Sequence, residues 1–338
     1  MRVALVYDLR EDYRALGFSG DEVAEFDSVE TIDQLAGALA TLGCETIRVG
    51  RGQALAARLV AGERYDLVFS IAEGLKGRAR EAQVPALCEL FDQPYLFSDP
   101  LTMAAALDKA VAKRLVRDAG VPTPAFAVAE QSGAGLMGWD AFPAFVKPLA
   151  EGTGKGCEAA SLVRNAQELQ ALAARMIERY CQPALVERYL GGREFTVGIV
   201  GNGAEARVLG VCEILLKAGA EANVYSLHNK ELCEDLVTYA RADDAEARLA
   251  GSRALAAFKA LQCRDAARID FRSDGEGEPY FLEANPIAGL HPGHSDLPIL
   301  AAQNGIAFVE LIGMILDAGL ARYGLMRPDR ERLRRTAW

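Results

Sequence analysis

Side chains that could bind a metal ion and a phosphate lie on two short segments in the last quarter of the chain. Arg268 and Asp270 belong to the first segment, and Glu283 and Asn285 belong to the second. Residues two apart point to the same face of a strand, so each pair shares a face if both segments are strands. The intervening run 275–279, Gly-Glu-Gly-Glu-Pro, is long enough to fold the chain back as a hairpin. One surface would then carry two carboxylates, one amide oxygen and one guanidinium.

This set of groups is typical of a site for Mg²⁺ and an anion. Carboxylate and carbonyl oxygens are the ligands that Mg²⁺ takes, usually together with water and phosphate oxygens. A guanidinium beside them can stabilise a phosphate or an oxyanion. A surface hairpin with solvated charges would have the same residues, so the choice depends on whether the rest of the chain supplies a nucleotide site.

A lysine and a glycine-rich stretch in the middle third supply groups that can bind phosphate. Lys147 lies near the end of an apolar strand predicted at 145–148, and the stretch 151–156, Glu-Gly-Thr-Gly-Lys-Gly, follows it. Glycines let the backbone approach a phosphate and point N–H groups at it, and Lys155 adds positive charge. The stretch does not have the GxxxxGK[ST] pattern of a phosphate loop, and such a stretch taken alone is more often a turn.

Other positions have side chains suited to a nucleotide. Lys109 is a further cation, on a predicted helix. At the end of another predicted strand, Glu187 can accept hydrogen bonds from hydroxyl or amino groups, while Tyr189 and Leu190 can sandwich a purine. Lys230 lies in a polar segment that could close over phosphates and exclude water.

Apolar periodicity predicts the elements that position these groups. In the first third, the predicted strands are 2–7, 45–49 and 67–71, and the predicted helices are 29–42 and about 54–60. In the remainder, the predicted strands are 145–148, 184–187, 194–200, 206–213, 267–271 and 279–283, and the predicted helices are about 104–119, 166–179, 245–261 and 305–318. The alternation of strands and helices predicts a parallel sheet with packed helices in the first third. Residues 327–335 are predicted to be a solvated terminal segment.

Composition and charge restrict the class of protein. The chain has 338 residues, of which 51% are hydrophobic and 25% are charged, so it is long enough for two or three domains and ordinary for a globular enzyme. The net charge of −10 argues against a general nucleic-acid binder, because no surplus of cations neutralises phosphates. No apolar run approaches membrane-spanning length. The seven cysteines form no CxxC pair, which favours a reducing cytoplasm.

Four motifs in order and spacing resemble those of the ATP-grasp ligases, and most closely those of the D-alanine–D-alanine ligases and their relatives. The motifs are Phe-Val-Lys-Pro at 145–148 with Glu-Gly-Thr at 151–153, Val-Glu at 186–187 with Glu-Phe-Thr-Val at 194–197, Ala-Arg-Ile-Asp at 267–270, and Leu-Glu-Ala-Asn-Pro at 282–286. The resemblance extends from about residue 67 to residue 316. It implies an α/β fold of three-domain ATP-grasp architecture. The implied domains are an N-terminal parallel α/β domain at 1–98, a small central α+β domain at 99–190, and a C-terminal α+β domain with a mixed sheet at 191–325, followed by a tail at 326–338.

The resemblance also implies roles for individual residues, with ATP held between the central and C-terminal domains. The phosphates of ATP would be bound by Lys109, Lys147 and Lys230. The adenosine pocket would be lined by Glu187, Tyr189, Leu190 and Glu194. Two Mg²⁺ ions, or Mn²⁺ in their place, would be held by Asp270, Glu283 and Asn285. The oxyanion would be stabilised by Arg268 and the backbone N–H of Gly289, and two positions match serines of the family's substrate site, Thr153 and Ser295.

The implied reaction needs these groups and no enzyme nucleophile. A carboxylate attacks the γ-phosphorus of ATP and becomes an acyl phosphate, while cations offset the charge of the loose transition state. An amine then attacks the acyl carbon, and Arg268 with backbone N–H groups holds the oxyanion. The sequence has no Ser-His-Asp or Cys-His signature, which agrees with this chemistry.

The segment 72–81 departs from the family pattern. The D-alanine ligases have His-Gly-x-x-Gly-Glu-Asp-Gly here, whereas this chain has Ala-Glu-Gly-Leu-Lys-Gly-Arg-Ala-Arg-Glu. Lys76, Arg78 and Arg80 make the turn basic. Two interpretations stay open: the arginines recognise an extra carboxylate on a larger substrate, or the segment is a solvated loop.

Other substrate positions also differ from the family. In the family, a glutamate of the first domain binds the substrate amine. Glu25 is the best match to it in this chain, with Glu22 and Glu30 still possible. His291 and His294 lie in the loop that would meet the second substrate. One of them could act as a base on the incoming ammonium, or both could be ordinary hydrogen-bonding loop residues.

These observations predict an ATP-dependent carboxylate–amine ligase that forms an amide or peptide bond between amino-acid-like small molecules, not certainly D-alanine. A true D-alanine–D-alanine ligase of cell-wall synthesis is the second hypothesis. A catalytically inactive ATP-binding regulatory protein is a third, against which the intact oxyanion and metal-site residues argue, and an ATP-grasp kinase is a fourth, which would make a phosphorylated product and no amide. By analogy with the family, we expect a cytoplasmic homodimer formed through the N-terminal domain, with no nucleic-acid or membrane partner.

Overall fold

The computed structural model describes residues 1–130, 135–221 and 224–330 of the chain. The strands in this part are β1 (Arg2–Val6), β2 (Glu45–Gly50), β3 (Leu67–Ser70), β4 (Phe126–Ala129), β5 (Ala144–Pro148), β6 (Leu162–Val163), β7 (Ala184–Arg188), β8 (Glu194–Val200), β9 (Arg207–Leu216), β10 (Val237–Arg241), β11 (Ala266–Ser273) and β12 (Pro279–Asn285). The α-helices are α1 (Arg10–Ala15), α2 (Val29–Thr41), α3 (Gly52–Val60), α4 (Gln83–Leu90), α5 (Pro100–Leu107), α6 (Lys109–Asp118), α7 (Ala166–Tyr180), α8 (Leu227–Glu231), α9 (Cys233–Leu236), α10 (Ala245–Ala260), α11 (Asp296–Gln303) and α12 (Phe308–Arg322). The described strands form three sheets.

The N-terminal sheet is parallel, with the strand order β2-β1-β3. Its strand β3 is buried along its whole length, as expected for a parallel sheet covered by helices. α2 packs against the sheet through Leu35 and Leu39, which lie one turn apart on its apolar face. Ser28 begins this helix, because its Oγ accepts a hydrogen bond from the Thr31 backbone N–H at 3.2 Å. The predicted parallel α/β unit is confirmed.

The central sheet is antiparallel, with the strand order β4-β7-β5-β6. α7 covers one face with Leu169, Leu172 and Met176, which recur at the spacing of one helical face. Asn165 caps this helix by accepting a hydrogen bond from the backbone N–H of Glu168 at 3.0 Å. The middle strands β5 and β7, which carry predicted site residues, are therefore held by neighbours on both edges and by a helix on one face.

The C-terminal sheet has the strand order β10-β9-β8-β11-β12 and is antiparallel throughout its described strands. The predicted mixed sheet is therefore wrong. Short turns join β8 to β9 and β11 to β12, and such turns produce antiparallel pairs. α10 then returns the chain so that β11 runs antiparallel to β8. The overall fold class, a parallel α/β unit followed by two α+β units, is confirmed.

The helix predicted at 104–119 is two helices with a break at Asp108. This residue has an extended backbone, and its carboxylate accepts hydrogen bonds from the N–H groups of Ala110 at 3.1 Å and Val111 at 3.0 Å. An aspartate that caps in this way begins a new helix. α6 therefore starts at Lys109, which places this lysine at a helix end instead of mid-helix.

The last part of the chain packs more closely than predicted. α12 begins later than the predicted helix 305–318, because Gly305 has a φ of +77°, which lies outside the helical region. Arg327, from the predicted solvated segment, is buried, and its Nε lies 2.8 Å from Asp317 Oδ1. The start of that segment is thus anchored to α12, and residues 331–338 lie outside the described residues.

An apolar core joins the two ends of the chain. Leu5 of β1 and Leu39 of α2 belong to the same buried cluster as Leu311 and Ile315 of α12. The N-terminal sheet is therefore packed directly on the C-terminal part of the chain. This contact fixes the position of the N-terminal strands relative to the C-terminal sheet.

Within the described ranges, no helix taken singly has the length and apolar character needed to cross a membrane. α11 and α12 meet the length and composition criteria only when joined, and they are bent by 109° at the break between them.

Asp265 connects segments that are far apart in the sequence. Its buried carboxylate accepts hydrogen bonds from the Phe97 backbone N–H at 2.7 Å, from Asn202 Nδ2 at 3.0 Å and from Arg322 Nη2 at 2.7 Å. A buried charge is stable only when it is paired and hydrogen-bonded. Here the partners come from three different parts of the fold, so this carboxylate holds them together.

We expect Asp265→Asn to lower the free energy of unfolding by about 3–5 kcal/mol, because the largely buried guanidinium of Arg322 loses its carboxylate. Denaturant unfolding of the variant and the parent protein measures the difference. Asp243→Asn, at an exposed position, is the matched control. Equal stabilities of the two variants would contradict the connecting role of Asp265.

Candidate functional site

The hairpin predicted in the last quarter of the chain forms, and it brings four predicted residues together. In the antiparallel pair of β11 and β12, Asp270 is opposite Glu283 and Arg268 is opposite Asn285. Directly opposed side chains share a face of a sheet. Two carboxylates, an amide and a guanidinium are therefore neighbours, as the sequence predicts.

Asp270 is the centre of the hydrogen bonds on this face. Its carboxylate accepts hydrogen bonds from Thr196 Oγ1 at 2.7 Å, Arg268 Nη2 at 3.0 Å and Asn285 Nδ2 at 3.2 Å. Arg268 is also held from its other side, with Nη1 3.2 Å from Asp296 Oδ2. Burial would lower the pKa of Arg268, but the charges of Asp270 and Asp296 raise it above its usual value. The guanidinium is thus charged and fixed in direction.

The facing carboxylates of Asp270 and Glu283 favour a bound cation. Burial raises the pKa of Asp270, the charge of Arg268 opposes this shift, and the charge of Glu283 adds to it. Burial acts on Glu283 in the same sense, but surrounding cations outweigh it and hold its pKa well below the usual value. Among the described residues, no group of three or more His, Cys, Asp and Glu side chains could hold a metal ion. A metal here would use the two carboxylates, Asn285 and oxygens from a ligand, which are the donors that suit Mg²⁺.

A first cavity opens beside this face, between the central and C-terminal sheets. Its principal lining side chains are Lys109, Phe145, Lys147, Glu151, Lys155, Glu187, Tyr189, Leu190, Glu194, Tyr225, Lys230, Asp270, Arg272, Leu282 and Glu283. Every residue that the sequence predicts for phosphate and adenosine binding is among them. The cavity combines lysines at the end near the carboxylates with apolar and aromatic side chains.

Lysines surround Glu283 at the junction of the sheets. Lys109 Nζ is 3.4 Å from Glu283 Oε2 and also donates a hydrogen bond to the Glu151 carbonyl. The charges of Lys147 and Lys230 act on the same carboxylate. The three lysines predicted to bind phosphate, which come from α6, β5 and α8, therefore converge on one point.

A buried lysine that the sequence analysis does not include, Lys113, completes this group. Its Nζ lies 2.5 Å from Glu187 Oε1, while Lys147 Nζ lies 2.8 Å from Glu187 Oε2. Burial lowers the pKa of Lys113 to about 8, although the charge of Glu187 opposes this shift. Burial acts on Lys147 in the same direction, but there the charge of Glu187 outweighs it and raises the pKa of Lys147. Glu187 thus positions Lys147 as well as lining the first cavity. The signal in the sequence was the four-residue spacing of Lys113 from Lys109 on one helix.

The end of the first cavity away from Lys109 is suited to a flat group with polar edges. Arg272 Nη1 lies 3.1 Å from Glu194 Oε2, and the guanidinium carbon lies 5.0 Å from the centre of the Tyr189 ring. Burial raises the pKa of Glu194, and the charge of Arg272 opposes the shift. Leu190 and Leu282 add apolar surface. A purine fits a lining of this kind.

The glycine-rich segment 151–156 packs against the segment 224–236, which carries Lys230. A Cβ at Gly154 would lie 2.9 Å from Leu227 N and 3.1 Å from Tyr225 O, and Gly154 has a φ of +72°. Glycine alone combines this backbone conformation with such a close approach. The two segments therefore meet backbone to backbone and together form one side of the first cavity.

A second cavity, of about 370 Å³, adjoins the first and reaches the N-terminal sheet. This volume lies in the range of small-molecule sites. The two cavities share the residues Lys109, Glu151, Tyr225, Lys230 and Glu283. Cations at this junction suit a phosphoryl group that passes from a molecule in one cavity to a molecule in the other.

Apart from Arg78 and Arg80, the remaining predicted catalytic and substrate residues line the second cavity. They are Glu25, Thr153, Arg268, Gly289, His291, His294 and Ser295. Ser295 Oγ accepts a hydrogen bond from the His291 backbone N–H at 3.0 Å, and a Cβ at Gly289 would lie 2.7 Å from that oxygen. Any larger residue at 289 would displace this serine. His294 Nδ1 lies 3.4 Å from Cys233 Sγ, and burial lowers the pKa of this histidine.

A hydrogen-bonded chain links the segment 224–236 to the guanidinium of Arg268. Tyr225 OH lies 2.5 Å from Tyr239 OH and donates to Asp296 Oδ1 at 2.9 Å. The other oxygen of Asp296 pairs with Arg268. Neither Tyr225 nor Asp296 is among the predicted residues. The chain couples the position of the segment to that of the guanidinium.

The basic turn does not supply cations to the second cavity. Arg78 is exposed, and its Nη2 lies 2.5 Å from Asp108 Oδ2. Arg80 is buried, but its guanidinium binds Glu25 Oε2 at 2.5 Å and a backbone carbonyl at 2.7 Å. Lys76 is exposed. Neither Arg78 nor Arg80 is among the lining residues of the second cavity, and each guanidinium has an acidic partner within the protein.

Of the three glutamates considered for the substrate amine, Glu25 lines the second cavity, whereas Glu22 and Glu30 are not among its lining residues. Its Oε1 accepts a hydrogen bond from the Gly152 backbone N–H at 2.5 Å, and its Oε2 binds Arg80. Burial would raise the pKa of Glu25, but the charge of Arg80 lowers it below the usual value. Both oxygens of this carboxylate therefore have partners in the protein.

Three acidic residues of the N-terminal unit that lie outside the prediction also line the second cavity, namely Asp27, Glu73 and Glu81. Burial raises the pKa of Asp27 and of Glu81 to about 7 and that of Glu73 well above its usual value. Glu73 follows the end of β3, and the carboxyl ends of parallel strands are where α/β sheets bind ligands. The place of Glu73 shortly after a buried strand was the feature of the sequence that could have predicted this residue as part of the site. The wall that the N-terminal unit contributes is therefore acidic, not basic.

Comparisons with known proteins agree with this geometry. Residues 115–317 match a family model described as D-ala D-ala ligase C-terminus. The chain is 37% identical to the uncharacterized protein y4sG of Sinorhizobium fredii, over 76% of this chain and 75% of that protein. It is 32% identical to a D-alanine–D-alanine ligase of Aquifex aeolicus, over 86% of this chain and 94% of that protein. A crystal structure of D-alanine–D-alanine ligase from Bacillus anthracis complexed with ATP has the same fold, with a TM-score of 0.72 at 20% identity, over 96% of this chain and 99% of that chain.

We expect Glu187→Gln to lower the free energy of unfolding by about 3–5 kcal/mol, because Lys113 and Lys147 are then buried without their shared carboxylate. Urea unfolding measures the change. Glu178→Gln, an exposed glutamate on α7, is the control and should leave stability within about 0.5 kcal/mol. A Glu187→Gln protein as stable as this control would show that the ion pairs of Glu187 with Lys113 and Lys147 contribute little to stability.

Proposed function

The chain belongs to the D-alanine–D-alanine ligase family, and we propose that it is an ATP-dependent ligase that joins the carboxylate of an amino-acid-like molecule to an amine. The observation that carries the proposal is the position of Arg268 beside Asp270 and Glu283, where the two cavities meet. Mere binding of a nucleotide does not require a buried guanidinium aimed at a second, adjoining cavity.

ATP is the substrate for the first cavity. Its adenine is placed between Tyr189, Leu190 and Leu282, and its phosphates are placed at the end lined by Lys109 and Lys147. Support for this orientation comes from the convergence of the lysines on Glu283 and from the apolar character of the other end. Lys230 reaches the phosphates from the segment 224–236 and helps to exclude water.

The first chemical step is transfer of the γ-phosphoryl group to a carboxylate in the second cavity. A carboxylate oxygen attacks the phosphorus, the bond to the β-phosphate oxygen breaks, and an acyl phosphate and ADP result. Lys109 and Lys147 offset the charge of this loose transition state. The Lys113–Glu187 pair holds Lys147 in place, so its charge is positioned before the reaction begins.

Mg²⁺ fits the hairpin face, where Asp270, Glu283 and Asn285 would hold it, and Mn²⁺ has the same donor preference. The fit rests on the two facing carboxylates and the adjacent amide. When bound, the metal supplies positive charge to phosphate oxygens. Arg268 and Thr196 orient Asp270 so that its direction is set in advance.

In the second step, an amine attacks the acyl carbon and inorganic phosphate leaves. Arg268 stabilises the tetrahedral oxyanion together with the backbone N–H of Gly289. Asp296 and Asp270 hold the guanidinium from two sides. Thr153 and Ser295 belong to the substrate network, and Glu25 with His291 and His294 border the space for the amine and the second substrate.

D-alanine is one candidate substrate, because the Aquifex aeolicus relative is a D-alanine–D-alanine ligase. A ligase for different amino acids is our main proposal, because the wall formed by Glu73 and Glu81 differs from the pattern of the D-alanine ligases. An ATP-grasp kinase and an inactive ATP-binding regulatory protein are the competing hypotheses from other classes.

We also propose that the chain works as a homodimer in the cytoplasm. Support for a dimer through the N-terminal unit comes from Val60 of α3 and Leu90 of α4, which lie on neighbouring helices and are 75% and 77% exposed. Support for the cytoplasm comes from the free thiols of the seven cysteines, which suit a reducing compartment.

Release of ADP with ATP, Mg²⁺ and D-alanine as the only amino acid tests the proposed function, with product masses read in parallel. D-alanine-dependent ADP with a dipeptide mass would identify a D-alanine ligase. A phosphorylated product without an amide would identify a kinase. If D-alanine gives no turnover in protein that binds ATP, the remaining amino acids are tested as both enantiomers. Absence of ADP formation with all of them would overturn the ligase proposal.

With the active substrate, we expect Arg268→Lys and Glu283→Gln each to lower the steady-state rate of ADP formation at least 100-fold. Lysine cannot pair with Asp270 and Asp296 and also donate to the oxyanion as the planar guanidinium does, and glutamine removes a carboxylate of the proposed metal site. Both variants should keep a cooperative thermal unfolding transition. Glu178→Gln is the control and should retain full activity. Full activity in either site variant would contradict the site assignment.

Static light scattering at micromolar concentration should give about twice the chain mass of 36.3 kDa. Leu90→Glu should shift the mass toward the monomer, because it places a charge in the proposed apolar interface. Leu101→Glu, at a similarly exposed leucine on α5, is the control. A monomeric parent protein would refute the dimer.

A further inference from the structure

The acidic wall of the second cavity has more carboxylates than the protein itself neutralises. The carboxylates are Glu25, Asp27, Glu73 and Glu81, and the guanidiniums nearest to them are those of Arg10 and Arg80. The acids thus outnumber the guanidiniums by two, and in the absence of a ligand a proton held between Glu73 and Glu81 takes the place of a counter-charge. A buried charge that is not paired is costly, so such a wall calls for positive charge from a ligand.

The side chains of Glu81 and Glu73 are hydrogen-bonded to each other, and what this pair lacks is a basic partner. The side chain of Glu81 lines the second cavity, and the residue is 9% exposed. Among the described residues, no Lys, Arg or His forms an ion pair with Glu81 or with Glu73. Arg80, the neighbouring cation, has its guanidinium engaged by Glu25 and by a backbone carbonyl.

The remaining nearby cations are also engaged. Arg10 donates from Nε to the Phe26 carbonyl at 2.5 Å and from Nη2 to the Ala24 carbonyl at 3.2 Å. Lys109, whose charge reaches Glu81, lies against Glu283 and is needed for phosphate.

The location of the wall identifies which substrate it would contact. Glu81 and Lys109 line the same cavity and interact electrostatically, so the wall borders the end at which the phosphoryl group arrives. A molecule whose carboxylate is phosphorylated there would extend its remaining groups toward Glu73 and Glu81. Glu25, with both oxygens already bound, lies beside them for an α-ammonium group.

We propose that the carboxylate substrate of this ligase is a diamino acid, whose second cationic group is bound by Glu73 and Glu81. The proposal rests on the proposed ligase function and narrows its substrate class to molecules with an amino or guanidino group in the side chain. The cavity of about 370 Å³ has room for such a side chain. Charge-assisted hydrogen bonds to two carboxylates would give the selectivity.

The ionisation of the wall is consistent with this assignment. Burial raises the pKa of Glu81 to about 7; the charge of Arg80 opposes this shift and the charge of Glu25 adds to it. Burial and the charge of Glu81 also raise the pKa of Glu73. With no ligand, the pair therefore retains a proton near neutral pH. A bound ammonium favours the ionised forms, so binding should release protons.

Matched amino acids that differ by one amino group test the proposal. Lysine with norleucine, and ornithine with norvaline, would be supplied as each enantiomer with ATP and Mg²⁺, alone and together with D-alanine. We expect kcat/KM for ADP formation to be at least tenfold higher for the diamino acid of each pair, the effect of one charge-assisted hydrogen bond. Equal or better use of norleucine and norvaline, with an amide product, would overturn the diamino-acid assignment and leave the ligase function standing. No ADP from any amino acid would overturn both.

Two variants separate a binding role from a structural one. Glu81→Gln and Glu73→Gln should each reduce the preference for lysine over norleucine at least tenfold while the KM for ATP stays unchanged. Glu178→Gln should keep the preference of the parent protein. A variant that loses activity on lysine and norleucine alike would indicate a structural role and count against the proposal.

Calorimetry supplies a readout that does not depend on turnover. Lysine and norleucine would be titrated into the protein with a non-hydrolysable ATP analogue, in two buffers of different ionisation enthalpy. We expect lysine to bind at least tenfold more tightly and to release protons, and Glu81→Gln to reduce both effects. Equal affinities for the two amino acids would refute the inference.

Discussion

Two partly buried carboxylates held opposite each other, those of Asp270 and Glu283, are the constraint around which this protein is organised. Like charges on directly opposed strand residues are unfavourable unless cations surround them. The fold meets that requirement from every side: Arg268 comes from the same hairpin, Lys109 from the end of a helix, and the remaining lysines from the central sheet and the segment 224–236. The cations that neutralise these acids are also those that a nucleotide's phosphates need.

This arrangement explains why three separate sheets are required. The hairpin supplies the acids, the central sheet supplies Lys147 with its supporting pair, and the N-terminal unit closes the far side of the second cavity. The break at Asp108 places Lys109 at a helix end that points into the junction. The shared apolar core between the N-terminal sheet and α12 holds the acidic wall at a fixed distance from the hairpin. The chemistry depends on these long-range contacts as much as on the site residues.

The sequence predicts the parts of this site that depend on local spacing. The hairpin face follows from the two-residue period of a strand, and the parallel N-terminal unit follows from the alternation of strands and helices. The direction of a loop side chain follows from no such period, so the sequence alone leaves open whether Arg78 and Arg80 meet the substrate. The fold shows that the first pairs with Asp108 and the second with Glu25. Asp296 is set by a tertiary partner, Arg268, which the order of residues does not reveal. The mixed sheet is predicted wrongly because strand direction depends on where α10 returns the chain.

The close approach at Gly154 has a consequence for the timing of the reaction. The main chain of the glycine-rich segment touches the main chain at Leu227, so neither side-chain rotation nor a small adjustment opens that side of the first cavity. In the proposed reaction, a separation of the two segments would open this side of the first cavity to the nucleotide. Because Tyr225 of the same segment reaches Arg268 through Asp296, such a separation would also move the group proposed to stabilise the oxyanion. Closure of the first cavity and the positioning of Arg268 are therefore coupled through one hydrogen-bonded chain.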